Sequence, residues 1–161
     1  AGLDGDTPES FSNSLGIITG LSPESVTVHT LALKRSSTLV AGENKKAQDG
    51  ASVDEMLHNV QRTLPQMGYH PYYMYRQSRS VGNFENVGWC LEGYECAYNI
   101  YMMEECHTVL AAGAGAVTKL RRPDSGYIER IFNFKYPYEY VSRFGELMTR
   151  KERINTFYTS Y

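Results

Sequence analysis

Apolar side chains recur at helical spacing in three segments of the chain. The first segment follows Thr7, which can cap a helix that stops at Ser22. The second follows Ser52, which opens a Ser-x-x-Glu capping box, and Gly68 suits the C-terminal cap of that helix. The third begins at Pro137. The predicted apolar faces are Phe11, Leu15, Ile18 and Leu21; Met56, Leu57, Val60 and Leu64; and Tyr140, Val141, Phe144, Leu147 and Met148.

Runs of β-branched and aromatic residues between these helices predict strands. The predicted strands are residues 25–33, 69–77, 107–112, 117–121 and 127–134, with a short helix at 97–104. Residues 34–50 are predicted to form a flexible loop or lid, and residues 78–95 to be mostly loop. Because a turn, a helix and a strand open the chain, its start is interpreted as a βαβ fragment that lacks its first strand. The order predicts an α/β fold with an antiparallel hairpin and a helix toward the end.

Composition narrows the class of function. The chain has 161 residues, 42% of them hydrophobic, which is enough for a core. It has no apolar run long enough for a membrane span, and a net charge of −2 argues against a nucleic-acid partner. Three cysteines with C-x5-C-x9-C spacing fit no zinc pattern, so reduced thiols in the cytoplasm and no metal ligand are expected.

Three features could hold a ligand, and each has a purely structural alternative. The small Gly113-Ala114-Gly115-Ala116 segment would let a ligand approach the backbone, or it is a tight hairpin turn. The basic pair Lys34-Arg35 and the cluster around Lys119 could bind carboxylates, or they are solvated surface. His29 is interpreted as an interior histidine, with ligand orientation as the alternative. No spacing predicts a catalytic residue.

The stretch from 68 to 120 carries a family resemblance. GYHPYYMYRQ, ENVG, GYECAYNIYMMEE and the Gly/Ala segment followed by Val-Thr-Lys resemble the oxygen-independent coproporphyrinogen III oxidases, radical S-adenosylmethionine (SAM) proteins, in their Bacillus-type second branch. The opening AGLDGD resembles that family's strand-end loop, with Asp4 in place of the usual Pro, and Asn99 matches a family Asn.

The resemblance implies a fold and a reaction. The fold would be the C-terminal part of a partial (β/α) barrel, with residues 1–50 as its last units and 51–161 as a C-terminal α/β region. The reaction would be a step of haem biosynthesis in which SAM and a [4Fe–4S] cluster convert propionates to vinyl groups by oxidative decarboxylation. Gly2, Gly113, Gly115 and Ala116 match positions near SAM or substrate, and Lys34, Arg35 and Lys119 are predicted propionate contacts.

The family's C-x3-C-x2-C cluster motif is not in this sequence. The chain is therefore predicted to be a C-terminal fragment that is inactive alone and binds neither cofactor tightly. Its expected partner is a tetrapyrrole, and an exposed sheet edge predicts a homo-oligomer. The alternative function is that of a non-catalytic haem-binding or haem-transfer relative.

Overall fold

A computed structural model describes residues 1–33 and 49–159. Those residues form a mixed α/β chain with antiparallel sheets, divided into two compact units, Ala1–Met103 and Glu104–Tyr161. None of the helices in these ranges combines the length and the apolar character that a membrane span needs. The predicted loop or lid at 34–50 lies almost wholly outside the described residues. The predicted division at residue 50 stays a prediction.

The first unit is a three-stranded antiparallel sheet with two longer helices. Helix α1 (Pro8–Gly20) leads to strand β1 (Ser25–Val28), and helix α2 (Gly50–Gln66) leads to strand β2 (His70–Tyr75). A single 3-10 turn (Val81–Asn83) precedes strand β3 (Asn86–Cys90), and helix α3 (Ala97–Glu104) follows it. Strand β3 lies between β1 and β2 in the sheet.

Helices α1 and α2 cover one face of this sheet. Their inward side chains pack with alternate residues of β1 and β3, as the period of two in a strand requires. The core of this face is Leu15, Val60, Leu64, Tyr69, Val28 and Trp89, with Phe11, Val26, Leu57, Val87 and Leu91 at its margin. The apolar face predicted for α2 does face the core. The face predicted for α1 is only partly right, because Phe11 and Leu15 pack on the core whereas Ile18 and Leu21 are exposed.

The starts of these two helices differ in how well they were predicted. Thr7 caps α1, because its hydroxyl accepts the Ser10 N–H at 3.1 Å. The predicted capping box at Ser52 is wrong. Helix α2 begins at Gly50, and the Asp49 carboxylate accepts the Ser52 N–H at 2.8 Å. An acidic cap was available three residues earlier, so Ser52 lies inside the helix.

The central strand β3 was missed, since residues 78–95 were predicted to be mostly loop. Four of the five residues from Asn86 to Cys90 are buried because the strand is paired on both sides. Gly88 interrupts its apolar pattern and leaves only Val87, Trp89 and Cys90 as apolar signal. A short strand with a central glycine has weak intrinsic propensity, and its neighbours decide its conformation.

The second unit is a hairpin with helices. Strands β4 (Val117–Arg121) and β5 (Ile128–Phe132) pair in antiparallel register, and helices α4 (Pro137–Ser142) and α5 (Phe144–Thr159) follow. Leu120, Ile131 and Phe157 form its core. The hairpin was predicted correctly. The predicted strand at 107–112 is reduced to one bridge, from Val109 to Lys119.

The single C-terminal helix predicted from Pro137 is two helices in the structure. The predicted apolar face is only partly right, because Leu147 is buried whereas Val141 is 74% exposed. The break between α4 and α5 at Arg143 changes the direction in which the following residues point. A helical period that is continued through this break therefore predicts the wrong residues to be buried.

Candidate functional site

The side of the first sheet that faces away from the helix-packed core is polar and rich in tyrosine. Alternation along β1 and β3 puts Thr27 and Gly88 on this side. On β2, Tyr73 pairs with Gly88 and Tyr75 pairs with Asn86, which lies on the same side two residues before Gly88. His29 follows at the end of β1. We call this surface, made of Thr27, His29, Tyr73, Tyr75 and Gly88, the polar face.

Hydrogen bonds between strands fix the side chains of the polar face. The Tyr73 hydroxyl lies 3.1 Å from Thr27 Oγ1, and the Tyr75 hydroxyl lies 3.2 Å from His29 Nδ1. The two tyrosine rings are nearly parallel, with centroids 6.4 Å apart. His29 is exposed, so the interpretation as an interior histidine is wrong. Its neighbours Val28 and Thr30 are buried, and the alternation of the strand turns His29 outward.

Gly88 creates the space in which Tyr73 lies. A Cβ atom added at Gly88 would lie 2.6 Å from Tyr73 Cζ and closer still to two other ring carbons. The ring therefore packs directly on the backbone of the central strand. This close approach, and no special backbone angle, is the reason for a glycine at this position.

A bulge in β2 adds a further tyrosine to this region. The register shifts between Pro71 and Tyr73, and the extra residue is Tyr72. Its hydroxyl accepts a hydrogen bond from Asn99 Nδ2 at 2.7 Å, which links β2 to helix α3. Asn99 is the residue that matched a family Asn, and its contact here is with a tyrosine of the PYY segment.

His70, Cys90 and Glu95 bring three metal-ligating side chains together at one end of the same sheet. His70 Nε2 lies 3.2 Å from Glu95 Oε1 and 3.6 Å from Cys90 Sγ. Burial, and then the charge of Glu95, raise the pKa of the Cys90 thiol. Backbone hydrogen bonds at Glu95 itself are the main cause that holds the pKa of its carboxyl below the usual range.

The predicted ligand glycine Gly2 is buried in the first unit. An added Cβ would lie 3.2 Å from Val53 Cγ2 and 3.5 Å from Leu31 Cβ, and the backbone has φ +89°. The positive φ favours glycine at this position, and the close neighbours leave little room for a side chain. The SAM contact predicted for Gly2 stays a prediction.

The Gly113–Ala116 segment precedes β4, and its backbone is held from within the second unit. The Gly113 N–H donates to the Tyr140 hydroxyl at 3.2 Å, and the Gly115 N–H donates to the Phe134 carbonyl at 2.7 Å. The Ala116 N–H points back to the Gly113 carbonyl at 3.3 Å. Ligand binding by Gly113, Gly115 and Ala116 stays a prediction, and these three N–H groups already have protein acceptors.

The predicted propionate contacts are only partly described. Lys34 and Arg35 lie outside the described residues. Lys119 Nζ lies 2.6 Å from Glu105 Oε1, and the same carboxylate binds Arg130 at 2.9 Å. Side-chain hydrogen bonds from Lys119 and then Arg130 lower the pKa of Glu105. A propionate would therefore compete with Glu105 for the Lys119 ammonium group.

The described residues do not fit a [4Fe–4S] cluster. Cys90 is buried, Cys96 is exposed and Cys106 is half-buried. Over residues 1–33 and 49–159, the group of close metal-ligating side chains contains one thiol, that of Cys90. A cluster needs three or four thiolates at one point, so no step of radical chemistry is assigned to these residues.

An apolar groove of about 470 Å³ runs beside β1. Phe11, Leu15 and Ile18 of helix α1 line it, together with residues of β1 and His29. The groove lies along an outer strand of the sheet, because β1 pairs with β3 on its other side.

The fold and the polar face define the class of this chain: an α/β protein with a tyrosine-rich sheet surface and a small-residue loop before a hairpin. No protein-family model matches it. No solved structure matches it either.

Comparison with curated proteins gives a specific relationship. The chain is 41% identical over 151 residues to the oxygen-independent coproporphyrinogen-III oxidase-like protein HemZ of Bacillus subtilis (strain 168). The match covers 93% of this chain and 30% of HemZ, so the chain spans less than a third of that protein's length. This similarity over nearly the whole chain agrees with the resemblance that its motifs indicate.

Proposed function

We propose that this chain is the tetrapyrrole-binding part of an oxygen-independent coproporphyrinogen-III oxidase-like protein of haem biosynthesis. The proposal rests on the 41% sequence identity to HemZ, which extends over 93% of the chain. In the whole protein, a [4Fe–4S] cluster and SAM would supply the radical chemistry that converts propionates to vinyl groups. The described residues would contribute substrate binding and orientation.

The polar face has the chemistry that a tetrapyrrole requires. A macrocycle is a large flat ring system with carboxylate side chains, and parallel tyrosine rings offer an apolar surface with hydroxyl groups at the edge. The hydroxyls of Tyr73 and Tyr75 and the imidazole of His29 can donate to a carboxylate after exchanging their present partners. Lys34 and Arg35 remain the proposed ion-pair partners of the propionates.

We propose that the whole protein has a partial (β/α) barrel to which this chain contributes. The Ala1 ammonium group donates to the His29 carbonyl at 2.6 Å, and the Leu31 N–H donates to the Ala1 carbonyl at 2.9 Å. This is the hydrogen-bond pattern of parallel strands. It supports the interpretation of the start of the chain as part of a βαβ unit, in which the backbone before α1 runs parallel to the backbone after β1.

An absorbance titration of the 161-residue chain tests the proposal. Coproporphyrin III and haem are added separately, and the variant Tyr73→Phe/Tyr75→Phe keeps both rings while removing the hydroxyls. We expect saturable coproporphyrin binding that weakens in the double variant and not in the control Tyr138→Phe, an exposed tyrosine of the second unit. Absence of saturable binding would refute the proposal.

The haem arm distinguishes the alternative function. Tighter binding of haem, with the spectrum of an iron ligated by a histidine or cysteine side chain, would favour a haem-transfer protein. Preference for the tetracarboxylate would favour the oxidase relationship. Incubation with reductant, iron, sulfide and SAM is expected to yield no 5′-deoxyadenosine, and its formation would contradict the inactivity predicted for this chain.

Self-association is the second part of the proposal. Among the described residues β1 is an outer strand of its sheet with apolar side chains beside it, and such an edge pairs readily with a second copy of the chain. Sedimentation velocity should show concentration-dependent dimers that are lost in Ile18→Lys, which charges the groove. Met148→Lys, on the second unit, is the matched control. A monomer at all concentrations would contradict this part alone.

A further inference from the structure

His70, Cys90 and Glu95 converge for a reason that lies in the backbone. His70 opens β2 and Cys90 closes β3, and the two residues are direct partners in the antiparallel register. Directly opposed residues send their side chains to the same side of the sheet. The turn after β3, in which the Tyr94 N–H donates to the Leu91 carbonyl at 3.1 Å, returns the chain so that Glu95 reaches them.

Two of the three spacings among the ligand atoms match a tetrahedral metal site, and both involve His70 Nε2. With the usual bond lengths of zinc, a regular tetrahedron puts nitrogen and oxygen ligands about 3.4 Å apart, and sulfur and nitrogen about 3.6 Å apart. The structure has 3.2 Å from His70 Nε2 to Glu95 Oε1 and 3.6 Å from Cys90 Sγ to His70 Nε2. All three ligand atoms lie within 4.8 Å of one another.

The kinds of ligand select the kind of metal. A thiolate and an imidazole favour zinc and similar borderline transition metals, whereas magnesium and calcium take oxygen ligands. The side chains of His70 and Glu95 are 42% and 35% exposed, while Cys90 is fully buried beneath them. An ion can therefore enter from the side of His70 and Glu95, and a fourth position remains for water on that side.

We propose that His70, Cys90 and Glu95 form a Zn²⁺ site with three protein ligands and one open position. The Cys90 thiol would lose its proton to solvent on binding and ligate as thiolate, His70 would bind through Nε2, and Glu95 through one carboxylate oxygen. The site rests on this geometry alone and is independent of the proposed tetrapyrrole function. It does not involve Cys96 or Cys106.

Cobalt and zinc titrations of the reduced 161-residue chain test this site. We expect one Co²⁺ per chain, with the visible bands of a tetrahedral ion and the charge-transfer band of a thiolate ligand, displaced by one equivalent of Zn²⁺. Cys90→Ser should abolish the charge-transfer band. Affinity, measured by competition with a chromophoric chelator, should fall at least about tenfold in His70→Gln and Glu95→Gln, because even changes beyond the direct ligands cost that much.

Cys96→Ser and Cys106→Ser are the matched controls and should bind as the unchanged chain does. Because Cys90 is buried, far-UV circular dichroism of Cys90→Ser must first show the same fold. If Cys90→Ser does not keep the fold, the variants His70→Gln and Glu95→Gln still test the site, because both side chains are partly exposed. Cobalt binding without a thiolate band, binding unchanged in both His70→Gln and Glu95→Gln, or loss of binding in Cys96→Ser would each overturn the proposal.

Discussion

The packing of Tyr73 on Gly88 makes the sharpest prediction about the first unit. Gly88→Ala puts a methyl group where the ring now lies, 2.6 Å from Cζ and closer still to Cε1 and Cδ1. The ring must move, and the hydrogen bond between its hydroxyl and Thr27 at 3.1 Å is lost with that movement. Because Gly88 has no positive φ, the new side chain adds no backbone strain.

The magnitude follows from opposing contributions. Overpacking of an ordered region costs about 1–3 kcal/mol, and the lost hydrogen bond costs about 0.5–1.5 kcal/mol. Replacing a strand glycine by alanine returns about 0.5–1 kcal/mol. We expect the free energy of unfolding to fall by about 1–3 kcal/mol, which lowers the urea midpoint by about 1 M at a typical slope.

Fluorescence of Trp89 during urea unfolding measures this change directly. Trp89 is the single tryptophan of the chain, is buried, and neighbours Gly88 in β3. The control is Gly16→Ala in helix α1, where an added Cβ meets nothing within 4 Å. That change should raise the free energy of unfolding by about 0.5–1 kcal/mol, as expected for a glycine inside a helix.

A double-mutant cycle decides whether the ring is the cause. Tyr73→Val removes the ring and keeps a residue that suits a strand. In that background Gly88→Ala should be neutral or slightly stabilising, so the two positions couple by about 1–3 kcal/mol. An equal loss of stability in both backgrounds, or no loss in either, would refute the argument that Tyr73 packs on Gly88.

Three further changes should act through buried or paired polar groups. Asn86→Ala should lower the free energy of unfolding by about 1–3 kcal/mol in the urea assay, because Asn86 is fully buried and its Oδ1 accepts the Thr30 N–H at 2.7 Å. Lys151→Met should increase amide exchange at Ala111, before β4. Lys151 Nζ donates to the Ala111 carbonyl at 3.1 Å and to Thr118 Oγ1 at 2.6 Å, and that hydroxyl accepts the Ala111 N–H. Glu105→Gln should reduce the loss of stability in acid, because the pKa of Glu105 is lowered in the folded protein. The Glu105 carboxylate therefore stabilises the fold above its unfolded pKa, and this stabilisation is lost as pH falls through the folded pKa.

Each of these results has a contradicting outcome. Unchanged stability of Asn86→Ala would mean that the Thr30 N–H finds another acceptor. Unchanged amide exchange in Lys151→Met would show that the lysine does not hold the segment before β4. For Glu105→Gln the effect should stay below about 1 kcal/mol because solvent screens the ion pairs, and an acid limb as steep as that of the unchanged chain would contradict it.

The sequence determined the parts of this protein that depend on local signals. Helices α1 and α2 follow from apolar spacing, the start of α1 follows from its Thr7 cap, and the β4–β5 hairpin follows from the turn between two short strand patterns. The short helix α3 was also predicted with its observed bounds. The relationship to the coproporphyrinogen-III oxidase-like proteins was likewise readable, since PYYMYRQ, ENVG and GAGAVTK are contiguous motifs. The polar face was partly visible as a set of tyrosines, without the direction in which each one points.

Tertiary structure decided what depends on pairing between distant residues. Strand β3 exists because β1 and β2 lie on both sides of it, and its own glycine-containing sequence has weak strand propensity. The same pairing turns His29 outward, gives Tyr73 its place on Gly88, and opposes His70 to Cys90. Considering the three cysteines by spacing alone predicted no metal ligand, because the partners of Cys90 are a histidine 20 residues earlier and a glutamate across a turn. Register, which no local signal encodes, opposes His70 to Cys90, and the turn after β3 brings Glu95 to them.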